Sequence, residues 1–340
     1  MDNVVKRIEF VDIAKALAIF LVVFGHMIPP GTPEKTMVYS FHMPLFFLLS
    51  GFFMKKGNGI KFRTLLYKKW HALMVPFLIW GGIYSEFNFK NLLRICYGTR
   101  ETLMMANSLS SLWFLPVMYL AFIYNIAVDK LCTNSRNSKT LNSSFLVIIT
   151  FMFIGFAIPH PHRYGLPFGA DIAFCAAAFM KLGQLLKRNV SLILKQDKLV
   201  LTIVLIGLIF LFAYTYRYSV YSESVKHILM ANAMYGNPFY FLGNAMIGSS
   251  IIVVFAVLLD KFNISKSCLQ KIGRNTLGIF LIHKPIIQLF KKVCNQDLWE
   301  SNGTIVIFVL SITVLMISML IIKIINKLLP SLLSRLEVTY

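Results

Sequence analysis

Acidic side chains are scarce in this chain. Only 14 Asp and Glu stand against 34 Lys and Arg in 340 residues, and charged residues of both signs make up 14%. A soluble domain of this length needs more polar surface than that. With 57% hydrophobic residues and a mean hydropathy of +0.69, the composition excludes one and points to a polytopic membrane protein. Cysteine is sparse too: Cys96, Cys132, Cys175, Cys268 and Cys294 are scattered without CxxC or other metal spacing, so neither a disulfide framework nor a zinc site is indicated. Loops longer than about 25 residues, internal repeats and low-complexity tracts are missing, which leaves one membrane domain over 1–340 with no appended soluble domain. The lack of matching broken helices in two halves argues against an inverted-repeat transporter. No small-residue cleavage pattern follows the first apolar stretch, which contains Asp12 and Lys15 and reads as a retained helix.

What is abundant is apolar sequence of membrane length. The expected fold is all-α, a transmembrane helix bundle with ten spans near 12–29, 36–54, 71–88, 112–128, 145–159, 168–186, 199–214, 239–259, 272–290 and 304–328. Several are short, as helices lining an internal cavity can be. Placing both termini in the cytoplasm puts 22 basic residues on the cytoplasmic side, nine on the other and three (Lys15, Lys181, Lys284) within spans. That bias supports the orientation and an even helix count. The formal charge of +20 therefore reads as a set of orientation signals, with lipid and not nucleic acid as the partner.

Ionisable residues at membrane depth carry the functional signal, because each is costly there. Lys15 and His26 share the first span, DIAKALAIFLVVFGH. Eleven residues apart, they lie about 20° apart around the helix axis and about 16 Å apart along it. One basic group thus faces each side of the membrane on a common helix face. Asp12, three residues before Lys15, is close enough to pair with it, and the two could equally form an interfacial ion pair that anchors the helix end. His26 suits a general base for a hydroxyl, against the alternative of a structural histidine bonded across helices. Gly25 beside it permits close approach by a neighbour.

In the second span, SFHMPLFFLLSGFF, His42 falls near the level of His26, either orienting it or satisfying a carbonyl that Pro44 frees by bending the helix. Ser50 lies toward the cytoplasmic end. KKGNGIKFRTLLYKKW follows, with Lys55, Lys61, Arg63, Lys68 and Lys69 among six basic residues in sixteen. Such a cluster fits anionic lipid headgroups or a phosphate site. Glu86, Asp171 and Trp113 (in SLWFLP) sit near outer helix ends; a tryptophan there belongs to the interfacial belt or stacks on a sugar. His283, with Lys284 and Pro285 adjacent, implies a polar cavity within the ninth span, whereas His160, His162 and Arg163 fit an exposed turn.

KALAIFLVVFGH resembles the basic-residue-x10-His signature of the acyltransferase family 3 integral membrane O-acyltransferases. DIAKALAIFLVVFGH…FHMPLFFLLSGFF is similar to the fucose 4-O-acetylase-like branch, as are SLWFLP and TLGIFLIHKP. The match covers about the first 115 residues and 274–285, and Lys15 stands where many members carry arginine. The resemblance implies acetyl transfer from cytoplasmic acetyl-CoA, with no permanently bound cofactor, to a carbohydrate acceptor: a hydroxyl of an envelope glycan or its lipid-linked precursor. It implies a multi-pass protein of the bacterial cytoplasmic membrane. On this reading His26, Lys15 and Asp12 are catalytic. The cluster from Lys55 to Lys69, with Ser50, holds the donor, and His42, Glu86, Trp113, Asp171 and His283 face the acceptor. A transporter of a lipid-linked sugar or small anion is the alternative; a glycan polymerase lacks its expected large extracytoplasmic loop.

Overall fold

The computed structural model describes residues 9–54, 62–98, 109–133, 140–158, 165–221, 228–264, 266–293 and 303–328. Among them every regular element is helical, apart from an isolated bridge between Leu229 and Met234. In chain order the α-helices are α1 (Glu9–Met27), α2 (Pro33–Tyr39), α3 (His42–Phe52), α4 (Phe62–Lys69), α5 (Val75–Tyr84), α6 (Phe89–Tyr97) and α7 (Phe114–Thr133). They continue with α8 (Thr140–Ala157), α9 (Ala170–Leu194), α10 (Lys198–Tyr221), α11 (Pro238–Phe262), α12 (Lys266–Arg274), α13 (Thr276–Val293) and α14 (Thr304–Leu328).

Among the described residues, six helical stretches are long and apolar enough to cross a membrane: Glu9–Met27, Leu109–Lys130, Pro167–Leu194, Lys198–Arg217, Pro238–Phe262 and Thr304–Leu328. The protein is a multi-pass membrane helix bundle. Two of the other expected spans are interrupted. The stretch 36–54 breaks at Ser40–Phe41, where Phe41 leaves helical geometry (φ −138°, ψ −19°). Pro44 is not the cause, because it falls in the first turn of α3, where its missing N–H has no intrahelical partner to lose. The stretch 272–290 is divided at Asn275 between α12 and α13. In 71–88, a π-helical segment (Trp70–Met74) precedes α5, whose early Pro76 cannot donate to the preceding turn.

Helix α1 is the hub. Of its 19 residues 13 are buried and only Glu9 is exposed, and it packs against α3, α11, α12, α13 and α14. A helix apolar all round belongs inside a bundle. Helix α10, by contrast, leaves Ile203, Phe210 and Tyr214 exposed, as a lipid-facing helix does. Close approach is secured by small residues. A Cβ on Gly51 would lie 1.9 Å from the Met180 carbonyl oxygen, and one on Gly183 1.9 Å from that of Leu48, so α3 and α9 touch backbone to backbone. Gly273 of α12 meets the Asp12 carbonyl in the same way. Polar ties add to the packing. Asn125 of α7 donates to the Ala177 carbonyl of α9 at 2.9 Å, and Lys181 of α9 pairs with Asp129 of α7.

Candidate functional site

The last turn of α1 carries His26, and α2 returns Tyr39 against it. The Thr32 side chain caps α2 and Pro33 opens it, so the chain reverses within five residues of α1. Gly25 makes the contact possible: a Cβ there would lie 3.0 Å from the Tyr39 ring. The Tyr39 hydroxyl and His26 Nδ1 are hydrogen-bonded at 3.1 Å. On its other side the His26 ring stacks on His283 of α13, with centroids 5.3 Å apart and planes inclined by 29°. His42, at the start of α3, packs its ring against Tyr39 at 4.8 Å.

Two of these histidines have a defined tautomer. His42 Nδ1 donates to the Val38 carbonyl at 2.8 Å, and His283 Nδ1 donates to that of Phe280 at 2.7 Å. A carbonyl only accepts, so the neutral rings carry their proton on Nδ1 and their lone pair on Nε2. The Val38 carbonyl also accepts from the Phe41 N–H at 3.3 Å, so His42 adds a second hydrogen bond to it at the helix break. Nε2 of His283 is buried without a hydrogen-bond partner among the described residues.

His26, Tyr39 and His42 line a cavity of about 250 Å³, together with Trp113, Lys35 and Lys284. Lys35 donates to the Ile28 carbonyl just beyond the end of α1 (2.9 Å), with its Nζ 5.4 Å from the centre of the Tyr39 ring. Lys284 donates to the Ser110 hydroxyl. A turn containing Met230 and Ala231 contributes a further wall.

A second, smaller space of about 20 Å³ lies further along the same helices, lined by Ser50, Lys69 and Met118. Lys69 stands over the Phe122 ring at 4.7 Å and Lys15 over that of Phe53 at 4.5 Å. Phenylalanines stand between the two chambers. On α3, Met43 lines the large cavity and Ser50 the small one, with Phe47 midway. At α7, Trp113 lines the large cavity and Met118 the small one, with Phe114 between. Phe114 packs on Phe47 at 5.0 Å and on Phe280 at 5.2 Å, and all three are buried.

The sequence-derived candidates thus divide. His26, His42, Trp113 and His283 come together around the large cavity. Ser50 and Lys69 come together at the small one. Asp12 is buried at the far end of α1, 3.6 Å from the Arg274 guanidinium of α12. Arg63 and Lys68 are exposed on α4, and Lys55 and Lys61 lie outside the described residues, as do His160, His162 and Arg163. Glu86 and Asp171 do not line the cavity. Helix α5 stops at Tyr84 and Glu86 follows in an exposed left-handed turn (φ 54°), while Asp171 is buried in the first turn of α9. Tyr39 and Lys35 were not singled out from the sequence: one is among 14 tyrosines, the other counts there as an ordinary outer-loop cation.

The sequence profile of the acyltransferase 3 family, described as an acyltransferase domain, matches residues 8–324. The Nodulation protein NolL of Sinorhizobium fredii is 22% identical over 325 residues, covering 87% of this chain and 82% of its own. The protein of the same name from Mesorhizobium japonicum is 26% identical over 170 residues, 46% of this chain and 44% of its own. The profile takes in α1 with Lys15 and His26, both chambers, and all but the last few residues of α14. A half-buried histidine set against a tyrosine at a cavity wall is chemistry that acyl transfer can use, and the match over nearly the whole bundle makes it the family's: this chain belongs to the acyltransferase 3 family and is a membrane acyltransferase.

Proposed function

We propose that the protein is an O-acetyltransferase that moves an acetyl group from cytoplasmic acetyl-CoA to a sugar hydroxyl of a cell-envelope glycan or its lipid-linked precursor. The observation that carries this reading is His26, held by Tyr39 and His283 at the wall of the large cavity and sharing α1 with Lys15. With its Nδ1 proton donated to the Tyr39 oxygen, His26 keeps the Nε2 lone pair for the acceptor hydroxyl. The acceptor oxygen attacks the thioester carbonyl while His26 takes its proton. The C–O bond forms, the C–S bond breaks, and the proton passes to the departing CoA thiolate.

Ten spans with both termini cytoplasmic would place the small chamber inward and the large one outward in the bacterial cytoplasmic membrane. Lys15 then steadies the thioester end or, once the thioester has reached His26, the pantetheine arm of the donor. Ser50, Lys69 and the basic segment from Lys55 through Arg63 and Lys68 hold the CoA arm and phosphates. Asp12, tied to Arg274, fixes the inner end of α1. His42 and Trp113 shape the acceptor side, where an aromatic face suits a sugar ring. The phenylalanine layer is the barrier the acetyl group must cross, either on a pantetheine arm that parts the rings or as a transient acyl group on His26. Direct transfer with His26 as base is the simpler route, since it needs no acyl-enzyme step.

Mass spectrometry of the host's surface glycans, with and without the gene, tests the reading. Loss of one acetyl mass per repeat on deletion, restored by wild type but not by His26→Ala, is the expected result. An unchanged acetyl content with lost or truncated glycan would replace it by transport or assembly.

A further inference from the structure

Two cations stand on the wall of the large cavity. Lys35 reaches it from α2 and Lys284 from α13, and none of the described residues lining it is Asp or Glu. The other polar side chains among the described residues on its wall are the imidazoles of His26 and His42, the Tyr39 phenol, the Trp113 indole and the hydroxyls of Ser110 and Ser111. Lys284 falls within the expected 272–290 span, and charged groups at membrane depth are retained where they serve a pathway or a ligand. A neutral sugar needs hydrogen-bond donors and acceptors; it does not need two ammonium groups at the cavity wall.

The placement of the two lysines is also specific. Lys35 spends one donor on the Ile28 carbonyl, which lies two residues after His26, and its remaining donors stay with the Tyr39 side of the cavity. Lys284 follows His283, whose ring lies on His26, and is held by Ser110. Lys35 is therefore anchored two residues from the base, and Lys284 is the sequence neighbour of a ring that lies on it. An anion held between them brings an adjacent hydroxyl to His26. The volume, about 250 Å³, falls just below the ~300–1,000 Å³ range of small-molecule pockets, so it suits one sugar unit with its charged substituent better than an extended repeat.

From this we infer that the acceptor is anionic: the unit acetylated, or the one joined to it, carries a carboxylate or phosphate that Lys35 and Lys284 bind. This inference rests on the acetyltransferase reading and narrows its substrate. The shared chemistry is a compact anion. A uronic-acid carboxylate and the phosphate linking a sugar to its lipid are its two sources.

The test uses the full-length protein in proteoliposomes with acetyl-CoA and the acceptor extracted from host membranes. One portion of acceptor has its carboxylates methyl-esterified, and another has its lipid phosphate removed by mild acid. Neutralising the true anion should lower kcat/KM by about tenfold or more, the equivalent of one charge-assisted hydrogen bond, and the treatment that does so names the source. Lys35→Gln and Lys284→Gln should weaken native acceptor and narrow its advantage over the neutralised form, while Lys35→Arg should retain the preference. Each variant is compared at matched membrane abundance, and Lys35, on a short surface helix, provides the result if Lys284→Gln fails to fold. Equal turnover of native and both neutralised acceptors would overturn the anionic-acceptor inference and leave the acetyltransferase reading standing. No acetyl transfer to any of them would overturn both.

Discussion

Replacing Tyr39 by Phe removes one oxygen from the site and leaves the rest of the ring. That oxygen lies 3.1 Å from His26 Nδ1, while the ring itself is seated over Gly25 and against His42. The packing should therefore persist and only the hydrogen bond should be lost. A net hydrogen bond of about 0.5–1.5 kcal/mol corresponds to about a 2- to 13-fold fall in turnover if Tyr39 holds the imidazole in its working orientation. Removing the base itself costs more, since general acid–base catalysis contributes about 10²- to 10⁴-fold. The assay is the initial rate of acetyl transfer in proteoliposomes across a range of acetyl-CoA concentrations, with thermal stability as the check on folding. On the proposed mechanism the expected pattern is a lower kcat with an unchanged KM for acetyl-CoA, because Tyr39 lines the large cavity and the residues proposed to grip the donor's phosphates and arm lie at the small one. Wild-type turnover would show that the hydrogen bond has no part in the reaction. A loss as deep as that of His26→Ala would make Tyr39 a reacting group and refute the positioning role.

Three further outcomes follow from the packing and the charges. Gly183→Ala should destabilise the bundle by about 1–3 kcal/mol or more, since its Cβ falls 1.9 Å from the Leu48 oxygen, about 1.5 Å short of ordinary contact. Gly207→Ala, with nothing within 4 Å, is its neutral control, and equal melting temperatures for the two would contradict the close α3–α9 seam. Phe114→Ala should cost about 3–5 kcal/mol and join the chambers, raising acceptor-independent hydrolysis of acetyl-CoA, whereas Phe114→Leu should keep them apart; unchanged hydrolysis in the alanine variant would show that the layer is no barrier. Lys266, outside the spans, is held above the usual lysine range by hydrogen bonds to Glu9 and Asp260. Its contribution to stability is complete below its unfolded pKa of about 10.4 and is lost as pH rises through the raised value. The stability difference between wild type and Lys266→Met should thus be flat between about pH 6 and 9, and a slope there would contradict the assignment.

Much of the bundle was legible in the sequence because membrane-length apolar runs need no tertiary knowledge to recognise. The same rule placed His26 and Lys15 on one face of α1, since helix geometry alone sets their separation. The interruptions were harder to read. The sequence predicts a bend at Pro44, but the break lies before it at Ser40–Phe41, because a proline in a first turn costs the helix nothing. The partners of His26 were hidden for a different reason. Tyr39 and Lys35 reach the site only because α2 folds back across Gly25, a tertiary contact that no spacing encodes. His283 and Lys284 were visible as costly residues at membrane depth, and the structure sets one against His26 and the other on the cavity wall. Glu86 carried an equal charge signal but fell on an exposed turn once α5 ended at Tyr84.

The most direct test of the central claim is acetyl transfer by purified wild type and His26→Ala at matched abundance and melting temperature, with isotopically labelled acetyl-CoA and membrane-extracted acceptor. The account predicts labelled acceptor with wild type and a loss of about 10²-fold or more with His26→Ala, with donor binding retained. Comparable labelling by both proteins would contradict it and move the chemistry away from the α1 histidine.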